Sequence, residues 1–134
     1  MSSTNKAILG RYLDAYNRDA MDELAAFVAP DYMHHSSGRD LTIEQFRKGA
    51  AWMRAGIPDL RIEIEDMIEE GDQVAVRYVC RGTHLASLLG EAVTSNAISV
   101  TGCTVFRFAD GLIAEDWEVL DEAEMMRQIG ASPS

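Results

Sequence analysis

Cysteine, proline and positive charge are all scarce in this 134-residue chain, and each shortage removes a class of protein. The two cysteines, Cys80 and Cys103, stand inside apolar alternating runs. They read as buried thiols in a reducing compartment rather than as a disulfide frame, and neither has the CxxC or Cys/His spacing of a zinc site. Twelve Lys and Arg face 22 Asp and Glu, a net charge of −10, which is the wrong sign for gripping a phosphate backbone and argues against nucleic acid as a partner. No apolar run approaches the roughly 18 residues of a membrane span, so no membrane association is expected. The opening Met-Ser-Ser-Thr-Asn-Lys lacks a signal peptide's apolar region, which predicts a cytoplasmic protein. The three histidines form no HExxH or His-plus-carboxylate spacing, so no metal is expected. Serine hydrolase and phosphate-loop signatures are missing as well.

What is present is the balance of an ordinary globule, 47% hydrophobic and 25% charged. The length suits one domain over residues 1–134, with an ordered core of about residues 5–130, and Ser132-Pro133-Ser134 reads as a frayed end. The acids are uneven: residues 59–72 and 110–124 hold 14 of the 22, with Arg61 as their only base, the pattern of solvated outer faces.

Ile8, Leu9, Tyr12, Leu13 and Tyr16 recur at helical spacing, and a short apolar helix from about Met21 to Val28 follows and ends at Pro30. A short strand around Tyr32 to His34 leads into the turn Ser36-Ser37-Gly38. Thr42 and Gln45 form a capping box for a third helix, whose stripe is Phe46, Ala50 and Met53 and whose stop is Gly56 and Pro58. From Leu60 the period becomes two. Leu60, Ile62 and Ile64 alternate with charges, Gly71-Asp72 turns the chain into Val74 to Cys80, an irregular stretch covers Leu85 to Thr94, and a further run spans Ile98 to Phe108. Asp110-Gly111 is the strongest hairpin signal, the return strand is Leu112 to Leu120, and Asp121 with Glu124 caps a closing helix. This order is α+β: a curved, mostly antiparallel sheet wrapped around N-terminal helices with a helix at the C-terminal end, enclosing a cavity between sheet and helix.

A two-residue loop at Asp110-Gly111 pairs Phe108 with Ile113, Phe106 with Glu115, Thr104 with Trp117 and Gly102 with Val119. The inner face then carries Phe106, Phe108, Ile113, Trp117 and Val119, and among them Glu115, a carboxylate that must be paired or protonated there. The other face, centred on Cys103, Val105 and Leu120, could pair two subunits. A one-residue bulge would exchange the faces and bring Asp116 and Glu118 inward. His34 and His35 are adjacent on a strand, so at most one enters the cavity. Asp121 reads first as an N-cap, and Tyr12 and Tyr16, one helical turn apart, as core residues able to orient a carbonyl from the cavity rim.

Pro58-Asp59-Leu60, Glu70-Gly71-Asp72-x-Val74-Ala75-Val76-Arg77, Gly82-Thr83-His84, Phe106-Arg107-Phe108-x-Asp110-Gly111-x-Ile113-x-Glu115-x-Trp117-x-x-x-Asp121 and Gln128-Ile129-Gly130 together resemble the SnoaL-like polyketide cyclase family over nearly the whole chain. The resemblance implies a cone-shaped α+β barrel like that of nuclear transport factor 2 and ketosteroid isomerase, a homodimer and no cofactor. It also implies ring closure of a polyketide by intramolecular aldol condensation, with a carboxylate as acid/base and histidines nearby; some relatives act in hydroxylation instead. By the same resemblance, His35 matches the family's histidine after the first strand, His84 its Gly-Thr-His, and Glu115, Trp117 and Asp121 its Glu-x-Trp-x-x-x-Asp. The loop from Leu85 to Gly90 departs from the family's pattern.

The expected site therefore has His35, His84, Glu115 and Asp121 as catalytic groups, with Asp116 as a further carboxylate to consider. Tyr12, Tyr16, Trp52, Thr104, Phe106 and Trp117 are its contacts to a hydrophobic carbonyl-bearing small molecule. The rival expectations are a non-catalytic binding module for a hydrophobic molecule and a hydroxylase or isomerase on the same scaffold. Two or more ionisable groups converging in the cavity would favour an enzyme.

Overall fold

Thr4 opens the first helix by accepting a hydrogen bond from the Ala7 amide on its Oγ1, and the helix α1, Asn5–Asn17, turns Leu9, Tyr12 and Leu13 toward the sheet. The structure is a computed structural model that describes residues 4–131; the Ser132-Pro133-Ser134 tail lies outside the described residues. A 3₁₀ helix, Met21–Phe27, follows where a short α-helix from about Met21 to Val28 was expected. The chain is already extended at Val28, and Pro30 sits inside the strand β1, Val28–Ser36. It is tolerated because pairing with the neighbouring strand is interrupted between Val28 and Met33, so its missing N–H costs no ladder bond.

Ser37 and Gly38, both at positive φ, turn β1 into a short strand, β2, Arg39–Leu41, that the sequence pattern did not reveal. The helix α2, Ile43–Gly56, begins with the full capping box between Thr42 and Gln45. Four long strands follow: β3, Arg61–Glu70; β4, Gln73–Thr83; β5, Ala97–Ala109; and β6, Leu112–Leu120. The last helix is α3, Glu122–Gln128, with the Asp121 carboxylate accepting from the Glu124 amide at 3.1 Å.

The sheet order is β2-β1-β6-β5-β4-β3, antiparallel throughout except where β1 runs parallel to β6. Leu9, Leu24 and Ile113 are completely buried in the main core, each worth about 2 kcal/mol of apolar burial. A second core, of Ile57, Leu60, Leu88, Ile98, Val100 and Ile129, joins the end of α2, the irregular loop and α3.

One feature of β6 decides the site. Ala109 pairs with Leu112 and Phe108 with Ile113 as expected, but Arg107 pairs with Glu115, Phe106 with Asp116, Val105 with Trp117, Thr104 with Glu118 and Gly102 with Leu120. Ala114 is the extra residue of a β-bulge, and because side chains alternate with period two, a single insertion turns everything after it over. The expected ladder is corrected accordingly. Glu115, Trp117 and Val119 lie on the outer face, while Asp116, Glu118 and Leu120 face the helices. The thiols also differ from expectation: Cys80 is half-buried on the inner face, and Cys103, on the outer, is exposed.

Candidate functional site

Between the sheet and α1 and α2 lies a cavity of about 250 Å³. Most of its wall is apolar: Leu13 and Phe106 at one end, Ile57, Leu60, Ile98 and Val100 at the other. Its innermost polar groups come from β1, β4, β5 and β6, with Tyr12 and Tyr16 of α1, Arg39 of β2 and Glu122 of α3 also in the wall. Period-two alternation in β1 sends Tyr32, His34 and Ser36 inward and Met33 and His35 outward, and the parallel pairing with β6 sets His34 beside Asp116.

Asp116 is almost wholly buried, and both of its oxygens are engaged. The Tyr32 hydroxyl donates to Oδ2 at 2.5 Å, and His34 Nδ1 lies 2.5 Å from Oδ1. A carboxylate accepts, so the Nδ1 proton points at Asp116 and the imidazole presents Nε2 to its other side. There Glu118 Oε1 stands 3.8 Å away. Burial works against a charged His34 ring, and the hydrogen bond and charge of Asp116, with the charge of Glu118, outweigh it, leaving the His34 pKa above its ordinary value.

Glu118 is the carboxylate that remains partly open to the cavity. Ser36 Oγ donates to its Oε1 at 2.9 Å, and the Tyr78 hydroxyl reaches Oε2 at 3.4 Å while sharing a 2.9 Å hydrogen bond with Thr104. Tyr78 fits because its cross-strand partner is Gly102: a Cβ there would stand 2.7 Å from the tyrosine ring. Burial, the largest influence on each, pushes the phenols of Tyr12, Tyr16, Tyr32 and Tyr78 upward, so all four stay protonated and can donate. The Cys80 thiol, pushed up to about 12 by burial and by Glu118, is inert.

Of the expected contacts, Tyr12, Tyr16, Trp52, Thr104 and Phe106 line this cavity. Trp52 is 47% exposed, which puts it at the opening. The expected catalytic set is dispersed. His35 lies on the outer face, its Nδ1 2.6 Å from Asp40 and its Nε2 2.6 Å from Glu115, with its ring stacked on Trp117. Glu115 in turn accepts from Arg107 at 3.0 Å. These bonds raise the His35 pKa and lower that of Glu115, making a charged surface cluster in place of the inner-face carboxylate expected from the unbulged ladder.

His84 is completely buried and anchors the irregular loop. The Thr94 amide donates to its Nδ1 at 3.2 Å, which leaves the ring proton on Nε2, 2.6 Å from Glu91. Asp121 caps α3 and is absent from the cavity wall among the described residues. His34, Glu118 and Tyr78 fill the polar positions instead. Strand alternation admitted either histidine, and the bulge alternative admitted Asp116 and Glu118; no local signal at Ala114 chose between them. Among the described residues, no group of three or more His, Cys, Asp and Glu is arranged to hold a metal ion, and no helix is long and apolar enough to cross a membrane.

Residues 6–129 match the profile of a family described as SnoaL-like polyketide cyclase. The chain is 27% identical to the aklanonic acid methyl ester cyclase AcmA of Streptomyces galilaeus, over 92% of this chain and 89% of the relative. It is 25% identical to the aklanonic acid methyl ester cyclase DnrD of Streptomyces peucetius, over 96% and 92%. Among solved structures, IdmH of Streptomyces antibioticus, provisionally assigned as a polyketide cyclase, superposes with a TM-score of 0.88 at 26% identity, covering 96% of this chain and 99% of the other. AclR of Streptomyces galilaeus, provisionally assigned as a hydroxylase, superposes with a TM-score of 0.87 at 26% identity, covering 96% and 97%.

Proposed function

The chain belongs to the SnoaL-like polyketide cyclase family, and from that premise we propose that it is a cofactor-free acid/base enzyme of the cytoplasm that closes a ring in a hydrophobic carbonyl substrate by intramolecular aldol addition. The observation that carries this reading is the convergence of Glu118 with the His34–Asp116 pair on one apolar cavity. A module that only bound a hydrophobic molecule would gain nothing from placing three ionisable groups there, each costly to bury.

Glu118 is the general base. It is the accessible one of the two carboxylates that β6 turns inward, and its Ser36 and Tyr78 contacts fix its direction without covering it. It takes the proton beside the substrate carbonyl, and the electron pair moves onto the carbonyl oxygen as an enolate. His34, held by Asp116 so that Nε2 faces away from that carboxylate, acts as the imidazolium that Asp116 and Glu118 favour, and its Nε2–H donates a hydrogen bond to the developing oxyanion. As the enolate carbon attacks the second carbonyl, the proton on Glu118 returns to the new alkoxide, and the protein ends as it began. Tyr32 and Asp116 are positioning residues. The dry wall of Phe106, Ile98 and Val100 keeps water from competing for the enolate.

The test is solvent-deuterium exchange into 2-tetralone, read by NMR. The protein should speed exchange beside the carbonyl, and Glu118→Gln should remove that acceleration while leaving the fold intact by circular dichroism. Saturable binding of 2-tetralone with no accelerated exchange would favour the binding module.

The same reading includes a homodimer. The bulge puts Trp117 and Val119 on the outer face beside Val105 and Cys103, in place of Leu120, and Val119 is 75% exposed. A second copy covering that patch would bury it. Light scattering should give twice the monomer mass, and Val119→Glu should return the monomer.

A further inference from the structure

The cavity's polar end is acidic. Asp116, Glu118 and, at the opening, Glu122 all line it, on a chain of net charge −10. A negatively charged substrate group would be repelled from nearly every part of it. One place differs. Among the described residues, Arg39 is the only arginine or lysine in the cavity wall.

Its position follows from the β1–β2 hairpin. Leu41 pairs with His34 and Arg39 with Ser36, and cross-strand partners share a face, so Arg39 and Leu41 project on the same inward side as the two residues that hold Asp116 and Glu118. The side chain is 66% exposed, which puts it at the rim rather than the floor. Its ion-pair partner among the described residues is Glu122 of α3, with Arg39 Nη2 3.9 Å from Glu122 Oε1. That separation exceeds hydrogen-bond reach, so the planar fork of donors stays uncommitted. Trp52, also at the rim, supplies an aromatic face.

We infer that Arg39 is a specificity residue that accepts a carboxylate, or an equivalent planar anion, carried by the substrate at the end remote from the reacting carbonyl. This rests on reading the cavity as the substrate site, and it adds the substrate's charge and its direction of entry. The apolar ring system goes in first, the carbonyl reaches Glu118 and His34, and the anion stays outside at Arg39, exchanging for the long contact to Glu122. A neutral ester in the same place would forgo the bidentate bond. A partly solvated charge-assisted pair of this kind is worth about a tenfold preference in affinity.

The experiment titrates 2-naphthoic acid and methyl 2-naphthoate into the Trp117→Phe protein, so that quenching reports Trp52 alone, and repeats both titrations with Arg39→Gln added. The expected result is that the acid binds about tenfold tighter than the ester, that Arg39→Gln abolishes this preference, and that the ester's affinity is unchanged by the substitution. Equal affinities in the parent, or a preference for the acid that survives Arg39→Gln, overturns the role of Arg39 and leaves the cavity as the binding site. Failure of both ligands to quench Trp52 overturns the cavity reading and the inference together.

Discussion

His34 holds Asp116 at 2.5 Å through Nδ1 and faces Glu118 across 3.8 Å through Nε2, so one imidazole separates two carboxylates of unequal access. The inner carboxylate has spent both oxygens on Tyr32 and His34. The outer one keeps room for a substrate.

The two carboxylates should therefore respond differently to substitution. Asp116→Ala leaves a buried imidazole and a buried phenol without their acceptor and should cost about 3 kcal/mol in urea unfolding. Glu118→Gln, at a partly open site where an amide can still accept from Ser36, should cost less than about 1 kcal/mol while abolishing turnover. Equal losses of stability would mean that Glu118 is structural.

The raised pKa of His34 has a definite sign in the stability curve. A group whose folded pKa exceeds its unfolded value stabilises the fold fully below the unfolded value, about 6.5 for histidine, and loses that contribution as pH rises through the folded value. Wild type should thus exceed His34→Gln in stability by more at about pH 5.5 than at about pH 9, by chemical denaturation. His35 is also raised but is present in both proteins, so it cancels in the difference. A gap that widens with pH would place a neutral ring in the fold.

The loop from Leu85 to Thr94 depends on Glu91, which accepts from the amides of Leu88 and Leu89 and from His84. Burial opposes its charge, and those donors prevail, lowering its pKa to about 2. Its stabilising effect should persist down to low pH and fade only as pH drops through that value. Glu91→Ala should expose the Leu88 and Leu89 amides to rapid hydrogen exchange while amides in the centre of β4 keep their protection. Unchanged exchange at both leucines would refute the anchor.

Asp121 is expected to behave as a cap. Asp121→Asn should change neither melting temperature nor turnover, because Asn caps as well as Asp, whereas Asp121→Ala should cost about 1 kcal/mol. Turnover lost in Asp121→Asn with the fold retained would return it to the catalytic set.

The elements were legible wherever local chemistry announces them. The Thr42 capping box, the Asp110-Gly111 turn with both φ values positive and the Asp121 cap all stand where the residues put them. The facing of β6 was not legible. Ile113, Trp117 and Val119 share one alternating set with Glu115, and the inserted Ala114 has no feature that marks a bulge; the exchange of faces shows only in the register with β5 and in the parallel pairing with β1, a contact distant in sequence. The choice of His34 over His35 was hidden for the same reason. Neighbours on a strand differ only in which side they face, and that is set by the parallel alignment with β6.

That alignment also dictates when the pocket can come into being. His34 and Asp116 are 82 positions apart, and β1 has its long hydrogen-bonded neighbour in the last strand of the chain. During synthesis α1, the 3₁₀ helix, β1 and α2 emerge first and must wait, with Tyr32 and His34 uncovered, until β6 leaves the ribosome. Closing so long a loop is entropically expensive and slow. The acid/base pair is thus among the last things the chain assembles, and a nascent chain stopped before Asp116 would carry the histidine without the group that orients it.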